Sequence, residues 1–571
     1  MSRAFRVASG ISKQLITEAS NGSLYSLSQI QRAVHSNPGS SSLDVAKVVF
    51  KHLDPAPLAR FQSDPWDSEE NRPYSDRAAK CLHILSDISV ALHKDPVLRD
   101  FVEDGLAASL DGACQWINHY FESIRPTLGN VLGVGVDVEL FAYAKLLLAL
   151  LKADHPGWYV CWSSPAYAKL LARMWMTKNA KGRFAMAPTE DNGGCPIQKL
   201  VFLCMDAEPG RELFFEAVLM AHPDSAKRFT EATIARGKGC LYSFRIGVYL
   251  PCVLEFLHVL LIINLRGVLY TPLLQRALSK GRCLKELTAD VVALAQNVGT
   301  GTGDNSALNL LHAMASTLLA TILSFAIEND SINRNLCDLI DGGYVNLLGI
   351  LTATLPENDP ATSTRGVEDL ITENLIYLIS SFGRYTIVPR VISRLLDSRP
   401  GSQLDGLLQG CHNSKVRLVC DELCQLLRWR IDVYKGVGTD SGPSICDNQL
   451  CNRQAQGGFR ACSGCSAVTY CSRHCQVRDW GEVHRDECQT LRAIRSQYKA
   501  AHFQYYHATR SYHLAYVQYQ FNRNLNPTQG TAADPNKVLL EFDLTTNAIE
   551  PAVLKEQAAL APKANATATS A

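Results

Sequence analysis

Seven of the nineteen cysteines in this 571-residue chain fall between residues 446 and 488, where even scatter would put one or two. With a single histidine they read C-x4-C-x10-C-x2-C-x5-C-x3-C-x8-H-x3-C: Cys446, Cys451, Cys462, Cys465, Cys471, Cys475, His484 and Cys488. A short turn such as C-x2-C lets two thiolates meet one metal at about 2.3 Å, and eight soft donors in four close pairs are what two tetrahedral Zn²⁺ ions require. A unit this small buries too little apolar surface to fold unaided, so metal binding is expected to dominate its folding. Both ions are expected to be structural, because four protein donors leave no open position for water or substrate.

The order of ligand types narrows the choice among two-zinc modules, since the histidine here is the seventh ligand rather than the fourth or fifth. With Tyr470-Cys471-Ser472, Cys475-Gln476 and Asp479-Trp480 in place, residues 446–488 closely resemble a MYND zinc finger. The opening C-x4-C departs from the C-x2-C usual in that family, which affects the shape of the first loop. Spacing alone leaves two pairings open, two sequential knuckles or an interleaved pair. The resemblance implies the interleaved one, with Cys446, Cys451, Cys471 and Cys475 on one zinc and Cys462, Cys465, His484 and Cys488 on the other. It also implies that Gln476 and Trp480 border a shallow groove for short proline- and leucine-containing peptides, Trp480 forming an aromatic wall for an extended ligand. His474 is expected to be an exposed bystander, because Cys475 completes the pair that His474 would leave orphaned.

Charge points to protein rather than nucleic acid as the partner. Five arginines balance five acids within the finger. Seven thiolates against two divalent ions then leave a negative surplus, where a nucleic-acid module carries a basic stripe. The whole chain has a formal net charge of +1, which gives no bulk attraction to nucleic acid or anionic membrane. Cysteines outside the finger sit in apolar, helix-like text and read as buried small hydrophobes of a reducing compartment, cytoplasmic or nuclear. Cys420 and Cys424, four apart, are expected to pack in a core rather than share a metal. No uninterrupted apolar run follows Met1, and Arg3, Arg6 and Lys13 are assigned to a flexible or helical N-terminus rather than a presequence. The apolar stretch 246–265 is broken by Pro251, Glu255 and His258, so a buried helix is expected there and no membrane span.

With 47% hydrophobic residues the chain can hold a large core, and its length suggests two to four domains. Helix-period apolar patterns dominate residues 76–435, and strand-like alternation is scarce. The expected fold class is therefore mostly α: a helical array, the small two-zinc finger, then a long C-terminal helix. Two stretches, Pro96 to Leu106 and Asn335 to Val345, each run through an amphipathic turn to glycine and on into apolar text. They are similar to the inter-helix turn of armadillo repeats, which implies an armadillo or HEAT-like array. The expected domains are a partly flexible N-terminal segment (1–75), the array (76–435), a Gly-rich linker (436–445) and the finger (446–488). A Tyr-rich helix (489–525) follows, expected to pack on the finger or the array, then a short strand within a tail (526–571).

Enzymatic readings have less to rest on. The glycines at 299–303 and 237–239 lack phosphate-loop context, and Glu255 with His258 lacks the second half of a di-iron site. A SET-type lysine methyltransferase would need an Asn-His-Ser-Cys-type motif and a large core after the finger. Only 83 residues follow Cys488, Asn118-His119 runs into Tyr120, and His412-Asn413 is reversed. Ubiquitin-ligase activity is the other alternative. The reading favoured by the residues is a non-enzymatic scaffold whose finger recruits a partner protein.

Overall fold

The computed structural model describes residues 11–62, 68–89, 92, 95–124, 136–150, 162–179, 181–184, 195–245, 259, 271–298, 305–327, 332–353, 355, 365–398, 411–437, 446–451, 458–500, 507–524, 539–541 and 552–554. They divide into two compact units, residues 1–283 and 284–571.

The first unit carries α1 (Lys13–Ser20), α2 (Leu24–Ser36), α3 (Leu43–His52), α4 (Arg72–Ser89), α5 (Pro96–His119), α6 (Val136–Leu150), α7 (Pro165–Met176), α8 (Pro196–Asp206), α9 (Glu208–Met220), α10 (Ser225–Arg245) and α11 (Pro272–Lys280). Their starts are written in the sequence. Ser12, Ser23 and Ser42 each accept the amide three residues on, and proline stands at the first position of α5, α7 and α8. Contacts run between helices close in sequence: α2 and α3 on α4, α5 on α7, α7 on α9, α9 on α10 and α10 on α11. An array of this kind buries a continuous apolar seam, here including Trp116, Trp175, Tyr167, Phe214 and Phe229.

One expected turn is absent. Gly105 lies inside the single 24-residue helix α5, not between two helices. A Cβ there would come within 2.5 Å of the Phe50 ring on α3, so this glycine permits a close helix crossing instead of a reversal. The other stretch does turn. In the second unit α14 (Ile332–Asp341) ends at Gly342-Gly343, Gly343 takes φ +92°, and α15 (Tyr344–Ala353) leaves at 60° to α14.

Around that turn are α12 (Cys283–Val298), α13 (Asn305–Ile327), α16 (Arg365–Tyr385), α17 (Pro389–Asp397) and α18 (Ser414–Val437). Helix α13 packs on α14 and α16, α14 on α17, and α16 and α17 on α18. The finger follows with β1 (Arg460–Ala461), β2 (Thr469–Tyr470) and α19 (Arg473–Asp479), a π turn at Trp480–His484, and α20 (Arg485–Ala500). Then come α21 (His507–Asn524), β3 (Leu539–Glu541) and β4 (Ala552–Leu554), the last two paired antiparallel. Helix α20 begins at Arg485, four residues before the stretch expected as one long helix; from Gln489 onward it lies within that stretch, as does α21, and residues 501–506 between them fall outside the described residues. Most of 246–265 and all of 299–303 also fall outside them, while Gly237 and Gly239 lie within α10. Among the described residues no single helix is long and apolar enough to cross a membrane.

Candidate metal centre

An opening loop, a two-strand hairpin and one helical stretch carry the eight ligands. Strands β1 and β2 pair antiparallel, Arg460 with Tyr470 and Ala461 with Thr469. The connection folds as a tight knuckle: Cys462 N donates to Val468 O at 2.9 Å and Ser466 N to Cys462 O at 2.8 Å. Ser466 takes a left-handed φ of +54°, and the Ala467 amide points at Cys465 Sγ, 3.4 Å away. Gly464 leaves room for Cys488, since a Cβ on it would lie 3.0 Å from Cys488 Sγ.

The Ser472 hydroxyl caps α19 by accepting the Cys475 amide at 3.2 Å. Cys471 lies just before that cap and Cys475 in the first turn of α19. His484 and Cys488 are four apart, and nine residues separate Cys475 from His484, about two and a half turns at 3.6 residues each. The continuous helical stretch 473–500 thus supplies Cys475 to one ligand group and His484 and Cys488 to the other. The π turn at Trp480–His484 sets the final angle, a distortion found mostly at functional sites.

Two groups of ligand atoms result, each with all members within 4.8 Å of one another: Cys446, Cys451, Cys471 and Cys475, and Cys462, Cys465, His484 and Cys488. The pairing is the interleaved one. Four sulfurs about 2.3 Å from a common centre stand about 3.8 Å apart along each tetrahedral edge, slightly less where one donor is a nitrogen. Cys451 and Cys471 sulfurs are 3.5 Å apart, as are Cys471 and Cys475; Cys462 and Cys488 are 4.0 Å apart, and Cys465 Sγ lies 3.5 Å from His484 Nε2. These separations suit tetrahedral Zn²⁺ and are far from the roughly 2.05 Å of a disulfide. The donor set fits two structural zinc ions.

Surrounding groups hold the ligands in place. The Ser472 hydroxyl is the largest influence lowering the Cys475 thiol, to about 7, which favours the thiolate a metal needs. Tyr470 is buried, and its hydroxyl donates to Asp479 Oδ2 at 2.6 Å. Burial first, then that carboxylate, push the Tyr470 phenol well above its ordinary range. In the longer opening loop, Asn448 Oδ1 accepts the Leu450 amide at 3.0 Å and Asn448 O accepts the Cys451 amide at 2.8 Å. The extra residues thus fold into a compact turn that still brings Cys446 and Cys451 together.

The remaining sequence candidates are placed as follows. His474 is exposed and belongs to neither ligand group. Gln476 is half-buried, and Trp480 is 42% exposed with its ring edge-on to His484, centroids 5.7 Å apart. Val477 and Val483, at 63% and 41% exposure, stand three residues either side of Trp480 and are exposed apolar residues near it in sequence. Sequence reasoning did not single out these valines, although their spacing from Trp480 carries the signal. Cys420 and Cys424 are buried, and among the described residues no metal-ligand group includes them.

Residues 446–488 match the family model of the MYND finger. A 64-residue stretch, 11% of this chain, is 38% identical to an F-box protein of Arabidopsis thaliana, of whose length the match spans 17%. A solved circular tandem repeat protein with novel repeat topology and enhanced subunit contact surfaces aligns over 74% of this chain and 96% of its own, at 12% identity and a TM-score of 0.24. Residues 446–488 of this chain are a MYND zinc finger, a kind of domain that generally mediates protein interaction.

Proposed function

We propose that this protein is a non-enzymatic scaffold, cytoplasmic or nuclear, whose finger captures a short extended peptide containing proline and leucine from a partner protein. The observation that carries this reading is the exposure of three apolar side chains, Val477, Trp480 and Val483, near half-buried Gln476 on the helical stretch that also supplies zinc ligands. Exposed apolar residues scattered singly mean little, but three within seven residues of a metal-held element suit the apolar side of a peptide groove. Each metal group has four protein donors, which makes the metals suited to holding shape rather than to activating water. The helical units add a larger surface of armadillo-like or related character.

The test is peptide capture by the zinc-loaded full chain, compared with Trp480→Ala. Truncating a half-exposed aromatic wall is expected to weaken capture by more than tenfold, about 1.4 kcal/mol or more, while both zincs stay bound. Equal capture by the variant would remove the groove. Transfer of labelled methyl from S-adenosylmethionine to a protein substrate, or autoubiquitination with purified conjugating enzymes, would overturn the scaffold reading itself.

A further inference from the structure

Asp447 directly follows the zinc ligand Cys446 and is 12% exposed. Its Oδ2 accepts the Thr469 amide of β2 at 2.6 Å and the Thr469 hydroxyl at 3.4 Å. Both carboxylate oxygens also receive the guanidinium of Arg510 as a two-pronged pair, Nη1 to Oδ2 at 2.8 Å and Nη2 to Oδ1. Arg510 is on α21, and the next residues of that helix are seated on the helical array. Tyr512 OH donates to Arg430 O at 3.3 Å, and His513 Nε2 lies 3.1 Å from Ile387 O. The Arg430 guanidinium lies 5.7 Å from the Tyr516 ring centroid, and it donates to Gly383 O at 2.6 Å and Thr386 Oγ1 at 2.5 Å. Arg430, Tyr512 and Tyr516 are all buried. One helix therefore holds the first zinc loop through Arg510 and the array through the turn that follows.

We propose that α21 is a metal-coupled latch: closure of the Cys446–Cys451 loop orients Asp447 for Arg510, and that ion pair and the seating of α21 on α17 and α18 stabilise each other. The coupling is geometric. A bidentate pair needs both carboxylate oxygens aligned with the guanidinium fork, and Asp447 is aligned by the ligand one residue before it and by Thr469. Partners that orient a metal-ligand loop commonly tune retention of the metal. Linkage is reciprocal, so whatever loop closure adds to helix seating, helix seating returns to metal retention. Asp447 and Arg510 are thus positioning residues that carry the state of a zinc site to the array.

Hydrogen exchange over residues 507–524 and the rate of zinc release, both on the zinc-loaded full chain, test this. Arg510→Met removes the fork while keeping all eight ligands and the apolar contacts of α21. It is expected to retain two zincs at rest, speed release from the Cys446 site about tenfold and accelerate amide exchange in 507–524. Release from the Cys462 site should stay at its wild-type rate. In an Asp447→Ala background the Arg510→Met change should add nothing, because its partner is already gone. The latch is overturned if Arg510→Met leaves either zinc release or α21 exchange at the wild-type value, or if its effect persists undiminished without Asp447.

Discussion

In the helical units, burial pushes the thiols of Cys81 and Cys420 up to about 12, so these cysteines pack as inert small apolar groups. In the finger the same residue type converges in fours on shared centres, where a metal can bind the thiolates. The two regions differ because their sizes do. Each helical unit can bury large side chains such as Trp175 or Tyr344, whereas the finger's buried cluster is Cys462, Cys465, Tyr470, Cys475 and Cys488. Remove the metal from that cluster and little apolar area is left to offset chain entropy.

The largest effect should therefore come from metal removal. Chelation, or Cys465→Ser, is expected to unfold the finger, since zinc binding contributes on the order of 10–16 kcal/mol in finger peptides. Most helical signal by circular dichroism should persist, because the arrays owe their stability to packing. Retention of two zincs by Cys465→Ser would refute the ligand assignment. Loss of all helicity on chelation would instead erase the contrast between the regions.

A packing deletion in the array should show the converse. Leu347 on α15 is fully buried, and Leu347→Ala is expected to cost about 2–5 kcal/mol through lost contacts and a residual cavity. Denaturant unfolding of the helical signal measures it, and zinc content should not change. Zinc loss in this variant would mean that finger and array fold as one.

How much of this is legible in the sequence depends on the kind of information each feature carries. Metal ligation is readable because ligand type and spacing are themselves the chemistry, and helix starts are readable from Ser12, Ser23 and Ser42. The Asp447–Arg510 pair is not, because 63 residues separate its members and only the docking of α21 joins them. Glycine is ambiguous for a related reason. Gly105 and Gly343 sit in similar text, yet one admits the Phe50 ring and the other takes φ +92°. Doubling to Gly342-Gly343 is the local signal for the turn; Gly105 is followed by Leu106-Ala107-Ala108, which continues a helix.

The two glycines should respond differently to alanine. Gly343→Ala forces a left-handed backbone on a residue with a Cβ and should cost about 1–3 kcal/mol. Gly105→Ala keeps a helical backbone and gains up to about 1 kcal/mol of helix propensity, against the shift its Cβ forces on the Phe50 ring. It should cost less than Gly343→Ala in the same denaturant titration. The reverse order would mean that the Phe50 ring cannot make room for a Cβ.

The smallest effect is expected at His474, and its smallness separates two ways of building the first zinc site. If His474 paired with Cys471, Cys475 would be displaced from the metal and the site would hold one nitrogen. In the structure the Cys471 and Cys475 sulfurs are 3.5 Å apart and His474 is exposed. His474→Ala should then keep both zincs and change stability by no more than about 0.5 kcal/mol, as exposed substitutions do. Cobalt substitution reads the donors directly, because thiolate-to-cobalt charge transfer grows with the number of sulfurs: an unchanged spectrum in His474→Ala fits four thiolates, and a stronger one means that the imidazole had been a ligand.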